Sequence, residues 1–235
     1  MKILIVVLAC KSSQDYRDLD DCGRSTWGNI ANSNPNIVDV LHTYAVSSPS
    51  KHDPLVRREG NDIIVNIKEE YDNTSRKNID TLIYINKHYP DIDYVYRTNL
   101  SSYINIDNLV KYLSTAPRTG FYSGQRRSAP YQNFKFASGS GFTMSRDVVD
   151  LVAQNKDNIN LRAPDDLPLG RFLHQSNIEF THLEWHRMNN IFNNTDFNNF
   201  PKDRPQYRLR TYPKFGGDRR EDVKKMKHLH NIFHE

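Results

Sequence analysis

Cysteine is scarce, with Cys10 and Cys22 the only two in 235 residues. Two thiols cannot build a metal cluster or a disulfide framework, so a reducing compartment is the simpler setting. Net charge is small as well, +4 from 32 basic and 28 acidic side chains. That balance is too mild to demand a nucleic acid, and it suits a protein handling anionic small molecules such as nucleotide phosphates. No stretch reaches the length of a membrane span. The opening run from Ile3 to Ala9 has one Lys before it and is short for a signal core. Val7-Leu8-Ala9-Cys10 loosely fits a lipoprotein processing box, but a domain follows at once, and the run is better explained as a buried first strand. Internal repeats, a dinucleotide fingerprint and a recognised nucleic-acid motif are all missing. These absences lead to the expectation of a soluble, cytoplasmic protein with no membrane span and no nucleic-acid partner.

What is present is enough for a core: 37% of residues are apolar, with 13 Tyr and 11 Phe among the aromatics. Strand-like runs fall at residues 2–9, 37–46, 62–67, 92–97, 119–122, 141–144 and 178–182. Helical patterns fall between them. Residues 75–87 carry Ile79, Leu82 and Ile83 on one face behind Thr74 as N-cap. Residues 105–113 start another helix, and residues 146–153 group Val148, Val149 and Val152. Alternating β and α predicts an α/β sheet wound with helices on both faces. Residues 189–200 are Asn- and Phe-rich and are expected to be a loop. A terminal helix follows, docking through Val223, Met226 and Phe233 with its lysines solvated. The expected division is a domain over 1–188, with 189–235 packing on it as loop and basic helix.

Four segments carry more than scaffold. "CGRSTWGN" (Cys22 to Asn29) is either a helix N-terminus with Trp27 packed on the core, or a place where Arg24 meets a phosphate. "EEYDNTSRKNIDTL" is a sensible helix start whose Lys77 is either a charge partner or simply solvated. In "SGSGFTMS", Gly139, Ser140 and Gly141 let backbone approach a ligand closely, because glycine has no side chain in the way. In "APDDLPLG", Asp165 and Asp166 stand at the mouth of a helix, as caps favoured by the helix dipole or as a general base. A fifth stretch, "YVYRTNLSSYIN", reads as a buried strand whose carboxyl end is where α/β sheets hold ligands. A carboxylate pair for a metal might be looked for there; Arg97, Thr98, Asn99 and Ser101 stand instead.

Taken in order, these segments resemble the family 31 glycosyltransferases, the β-1,3-galactosyltransferase and Fringe group. Arg24, Thr26, Trp27 and Gly28 match the family's Arg-x-x-Trp-Gly-like element. Tyr71, Asn73, Thr74 and Lys77 loosely match its helix start. Ser138, Gly139, Gly141, Phe142 and Ser145 match its Gly-rich strand, and "PDDLPLG" resembles the Fringe form of its acidic pair. The resemblance spans about residues 1–185. It implies a GT-A fold (Rossmann-like, with a mixed central sheet), a nucleotide-sugar donor, expected to be a UDP-sugar, and a glycan or glycoprotein acceptor. The implied reaction is an inverting transfer in which Asp166 serves as base and Asp165 orients it or binds acceptor. A transferase-like module that has lost catalysis but still binds nucleotide or glycan is the rival expectation.

The departure lies at the family's Asp-x-Asp metal motif, which aligns with Asn99-Leu100-Ser101. Mn²⁺ or Mg²⁺ would be the ion, but its usual carboxylate ligands are missing, and neutral oxygens hold a hard divalent cation poorly. The charge for the leaving group is then expected from cations, as in family 14 branching N-acetylglucosaminyltransferases. Candidates are Arg208 and Arg210 in "YRLR", then Lys214, Arg219 and Arg220, with Arg97 a further one; an ordinary basic surface explains them equally. His182 and His186 lie where family members keep a metal-binding histidine, and either is a ligand or merely structural. The Asn-, Ile-, Lys- and Tyr-rich composition suggests an AT-rich genome of a microbe or large virus, and if viral the compartment would be host cytoplasm.

Overall fold

The computed structural model describes residues 1–128, 133–161, 166–188, 200–210 and 219–234. Asp165, Lys214 and most of the expected Asn-rich loop lie outside the described residues.

The first strand, β1 (Ile3–Leu8), is buried at every position. Successive side chains of a strand point to opposite faces, so Ile3, Ile5 and Val7 enter one hydrophobic cluster and Leu4 and Val6 another. A strand this apolar therefore has both faces covered, as the alternation-free run predicts. Then come α1 (Gln14–Gly23), a wide helical turn over Arg24–Gly28 and the short α2 (Asn29–Asn32). "CGRSTWGN" is thus the end of a helix and not its beginning. The helix starts earlier because Ser13 caps it, its side chain accepting from the Tyr16 N–H. Trp27 is buried in the core, as expected.

The chain continues through β2 (Ile37–Val46), β3 (Val56–Glu59), β4 (Asp62–Lys68), a 3₁₀ turn at Tyr71–Asn73, α3 (Thr74–His88), β5 (Tyr94–Asn99), β6 (Ser102–Ile104) and α4 (Ile106–Ser114). After these come β7 (Tyr122–Ser128), β8 (Lys135–Ser145), α5 (Arg146–Gln154), a 3₁₀ turn at Lys156–Asn158, α6 (Asp166–Gln175), β9 (Phe180–His182), β10 (His186–Arg187), β11 (Gln206–Arg208) and α7 (Arg219–His234). The expected strand at 119–122 begins only at its last residue. Before it the chain turns at Gly120, whose φ of +63° suits glycine and whose N–H is held by Asp147 Oδ2. The 3₁₀ turn makes Asn73, not Thr74, the N-cap of α3.

The larger sheet has eight strands in the order β3-β4-β2-β1-β5-β8-β7-β9, and a three-stranded sheet runs β10-β11-β6. β1 pairs in parallel with β2 on one side and β5 on the other, whereas β8 joins antiparallel. The strand order therefore reverses between β1 and β5, and open α/β sheets bind ligands outside the carboxyl ends at such a point. Residues of α1, α4 and α7 share one hydrophobic cluster with one face of β1, and residues of α3, α5 and α6 share the other. Met226 of α7 is fully buried, as its stripe predicts. Lys225 is buried too, against expectation, because its Nζ donates to the Leu209 carbonyl at 3.0 Å and anchors the segment after β11.

Two glycines set how closely elements approach. Gly170 of α6 faces β8 so tightly that an added Cβ would sit 2.2 Å from Phe136 Cβ. Gly170→Ala is expected to cost on the order of 2–3 kcal/mol through overpacking, read as a lowered urea midpoint at constant slope. Gly141 lies inside β8 and not in a turn, and an added Cβ there would lie 2.3 Å from Gln206 Oε1.

Candidate active site

A cleft of about 810 Å³ opens at the carboxyl ends of β1 and β5, the switch point of the sheet. Its walls include Leu8, Ala9 and Cys10 from the end of β1 and Arg97 and Asn99 from β5. Leu100 and Ser101 continue the wall beyond that strand, Ser138, Gly139 and Ser140 come from β8, and Asp166 comes from α6. With Glu69, Glu70, Tyr71, Thr74 and Lys77 also in its lining, four of the five segments singled out by sequence converge on one cavity. They do so because β8 runs antiparallel beside β5, pairing Thr98 with Gly141 and Arg97 with Phe142.

Gly139 is the joint of the site. Its N–H donates to Asp166 Oδ2 at 3.0 Å, and its carbonyl accepts from Asn99 Nδ2 at 3.1 Å and from the Arg97 guanidinium. Arg97, almost wholly buried with its guanidinium 5.2 Å from the centre of the Phe142 ring, holds this joint. Thr98 is buried and donates to the Ser140 carbonyl, so it braces β8 without lining the cleft. Gly141 does not line it either. The close approach that its missing side chain permits is to Gln206, whose amide accepts from the Tyr96 hydroxyl and donates to Ser102 Oγ and the Ser140 carbonyl. That corrects the expectation that Gly141 meets a ligand.

At the two motif positions the sequence replaces carboxylates by neutral oxygens, and each of those oxygens faces an arginine. Asn99 Oδ1 accepts from Arg208, and Ser101 Oγ accepts from Arg219. β11 pairs antiparallel with β6, setting Arg208 opposite Ser102, and this register delivers the first guanidinium. The first turn of α7 delivers the second, which also contacts Asp222 Oδ2 at 3.2 Å and the Tyr16 hydroxyl at 3.3 Å. Burial and the facing charge of Arg219 push the Arg208 guanidinium down to about 10. It is still protonated at neutral pH, so the two cations confront one another at the cleft wall. A divalent cation does not fit here, since its oxygens are occupied by hydrogen-bond donors and two positive charges stand beside it. Among the described residues no group of three or more His, Cys, Asp or Glu could hold a metal. Arg210 also lines the cleft.

Arg24 does not line the cavity. Its guanidinium donates to Asp62 Oδ1 at 2.6 Å and to the Tyr44 hydroxyl at 2.9 Å, and lies 3.4 Å from Asp20 Oδ2. Burial works to raise the Asp20 pKa, yet contacts from His42, Tyr44 and Arg24 outweigh it and hold the carboxyl below its ordinary range. The arginine expected to meet a phosphate is thus tied into a structural network. The two histidines also have other duties: His182 Nδ1 accepts from the Arg126 N–H, and His186 stacks on Phe200.

Lys77 is the charge partner that the sequence left as one of two readings: it is buried, and its Nζ bridges the Ala9 carbonyl and both carboxylate oxygens of Glu69. Sequence reasoning missed several residues of the cleft. Tyr71 stands at the rim, 76% exposed, which is unusual for so large an aromatic side chain beside a cavity. Gln125, Arg126, Arg127, Trp185 and Arg187 form a further wall. "THLEWHRM" held the signal for Trp185, but its histidines drew attention away from it.

Residues 21–131 match the family model described as galactosyltransferase. The β-1,3-galactosyltransferase 1 proteins of Mus musculus and Homo sapiens are each 24% identical over 199 residues, covering 74% of this chain and 61% of theirs. The similarity thus spans about three-fifths of those relatives' length. A solved structure of a glycosyltransferase involved in the glycosylation of the major capsid of PBCV-1 superposes with a TM-score of 0.55 at 9% identity, covering 97% of this chain and 100% of that one, a likeness of fold. With a galactosyltransferase match over residues 21–131, which include β5 of the cleft, and with a GT-A fold, the chain is similar to the family 31-like glycosyltransferases.

Proposed function

We propose that the protein transfers a sugar from a nucleotide-sugar donor, a UDP-sugar being the favoured class, to a saccharide hydroxyl, with inversion and without a divalent metal. The observation that carries this reading is the placement of Arg208 and Arg219 on Asn99 and Ser101, where the related enzymes would hold a metal. Two fixed guanidiniums can neutralise a leaving diphosphate through charge-assisted hydrogen bonds. Asp166, fixed by the Gly139 N–H, supplies the carboxylate. It takes the proton of the acceptor hydroxyl as that oxygen attacks the anomeric carbon, and the bond from carbon to phosphate oxygen breaks with its electron pair leaving on the nucleotide. Asp165, its neighbour in sequence, is assigned to acceptor orientation. Ser140 and the Glu69–Lys77 pair lie where the rest of the donor would rest. No described helix is long and apolar enough to cross a membrane, and two free thiols accord with a cytoplasmic setting.

The test is transfer and donor hydrolysis with a panel of UDP- and GDP-sugars, in EDTA and in added Mn²⁺. Activity in EDTA within about two-fold of that in Mn²⁺ is expected, since hard-cation affinity needs charged oxygen ligands. Strict dependence on Mn²⁺ would overturn the metal-free reading. Donor binding with no turnover under any condition would favour a catalytically silent binding module.

A further inference from the structure

Among the described residues, eight cationic side chains line the cleft against three carboxylates. Arg208 and Arg219 are assigned to the diphosphate, Lys77 is paired with Glu69, and Arg97 holds the Gly139 carbonyl. Of the carboxylates, Glu69 is taken by Lys77 and Glu70 by Lys68. Arg126 and Arg127 of β7 remain to be accounted for. Among the described residues, neither of these two side chains makes a hydrogen bond or an ion pair, and both are exposed toward the cavity.

Their placement comes from an irregularity in β7. Consecutive residues of a regular strand face opposite ways, yet Gln125, Arg126 and Arg127 all line the cleft. The register of β7 on β8 shifts between Gly124 and Arg126, and a bulge of this kind re-aims side chains. Gly124 permits the close approach: a Cβ there would lie 2.7 Å from Ala137 Cβ and 2.8 Å from the Gly141 carbonyl. Beyond the bulge Arg126 pairs with Ala137, two residues from Gly139 and hence beside the residue that holds Asp166. The Trp185 N–H meets Gln125 Oε1 at 3.4 Å, and Arg187 sits 5.5 Å over the Trp185 ring. An aromatic surface and the guanidiniums of Arg126 and Arg127 therefore line the same cleft as Asp166, while Arg187, paired with Arg208 across β10 and β11, connects this wall to the diphosphate arginines.

We infer that the acceptor is an anionic saccharide, carrying a carboxylate or a phosphate that Arg126 and Arg127 neutralise beside the attacking hydroxyl. This rests on the transferase reading above. A donor diphosphate matched by two arginines leaves no second anion for this wall, and a neutral acceptor would leave its charges in mutual repulsion. A sugar face can lie against Trp185 while its acidic group reaches the arginines, whose fork suits both carboxylate and phosphate.

The test uses the full chain and paired methyl glycosides: glucose with glucuronic acid, and mannose with mannose 6-phosphate. Binding is followed by NMR titration with and without UDP, so acceptor preference is read whether or not nucleotide binds. At least one anionic member is expected to bind on the order of ten-fold more tightly than its neutral twin, consistent with a charge-assisted contact. The advantage should shrink in high salt, because exposed charges are screened. The two pairs separate a uronate from a phosphate source. In Arg126→Gln/Arg127→Gln the preference is expected to vanish while UDP affinity stays within about two-fold, because the diphosphate is assigned to Arg208 and Arg219 and not to the altered residues. Absence of any anionic preference, its survival in the double variant, or an equal loss of UDP binding would each overturn the inference. If UDP fails to bind the unaltered protein, the transferase reading fails, and the saccharide pairs report on the arginine wall separately.

Discussion

Asp166→Asn leaves a protein that binds UDP with unchanged affinity and transfers sugar about a thousand-fold more slowly, the middle of the range for loss of a general base. The substitution isolates basicity from shape. Asp166 Oδ2 accepts the Gly139 N–H at 3.0 Å, and an amide oxygen can accept that same bond, so the first turn of α6 keeps its place. What the amide lacks is a lone pair basic enough to take the hydroxyl proton. The readout is kcat for transfer alongside a UDP titration. Transfer within about ten-fold of the unaltered protein would remove Asp166 from the role of base and point to Asp165.

Replacing both Arg208 and Arg219 by Gln should weaken UDP binding by about a thousand-fold in the presence of EDTA, taking on the order of 2 kcal/mol for each charge-assisted contact. Turnover should fall further, because positive charge stabilises the departing diphosphate more than the bound donor. Burial, and after it the facing charge of Arg219, push Arg208 down to about 10, and the variant relieves both. Folding should therefore survive, and a cooperative melt checks it. Calorimetric UDP affinity within ten-fold of the unaltered protein would mean that the diphosphate is held elsewhere in the cleft.

The fold was legible where physics leaves one choice. The buried run of β1 could only be a strand covered on both faces, and the Val148, Val149 and Val152 stripe could only be a helix lying on the sheet. Chain order of motifs was legible too, because it needs no geometry. The partners of charged groups were not. Arg24 and Lys77 carry the same formal charge as the arginines of the cleft wall. Whether each is spent on a carboxylate or kept for a ligand depends on residues 38 positions away for Asp62 and 8 for Glu69. Gly141 misled for a related reason: the space that a glycine leaves says nothing of who fills it, and here a glutamine from β11 does. The acceptor wall was hidden because strand alternation would send Arg126 and Arg127 to opposite faces, and only the bulge brings both to the cavity.

The backbone of Gly139 carries a consequence for how such a site can change. Its N–H holds Asp166 and its carbonyl faces Arg97 and Asn99, so the two halves of the proposed reaction hang from the main chain of a single residue. Main-chain groups are the same whatever the side chains nearby. A change of charge carrier at positions 99 and 101, from metal-binding carboxylates to arginine-capped amide and hydroxyl, can therefore proceed without moving the carboxylate on the far side. The proton-accepting half and the charge-neutralising half are mechanically joined but chemically separable.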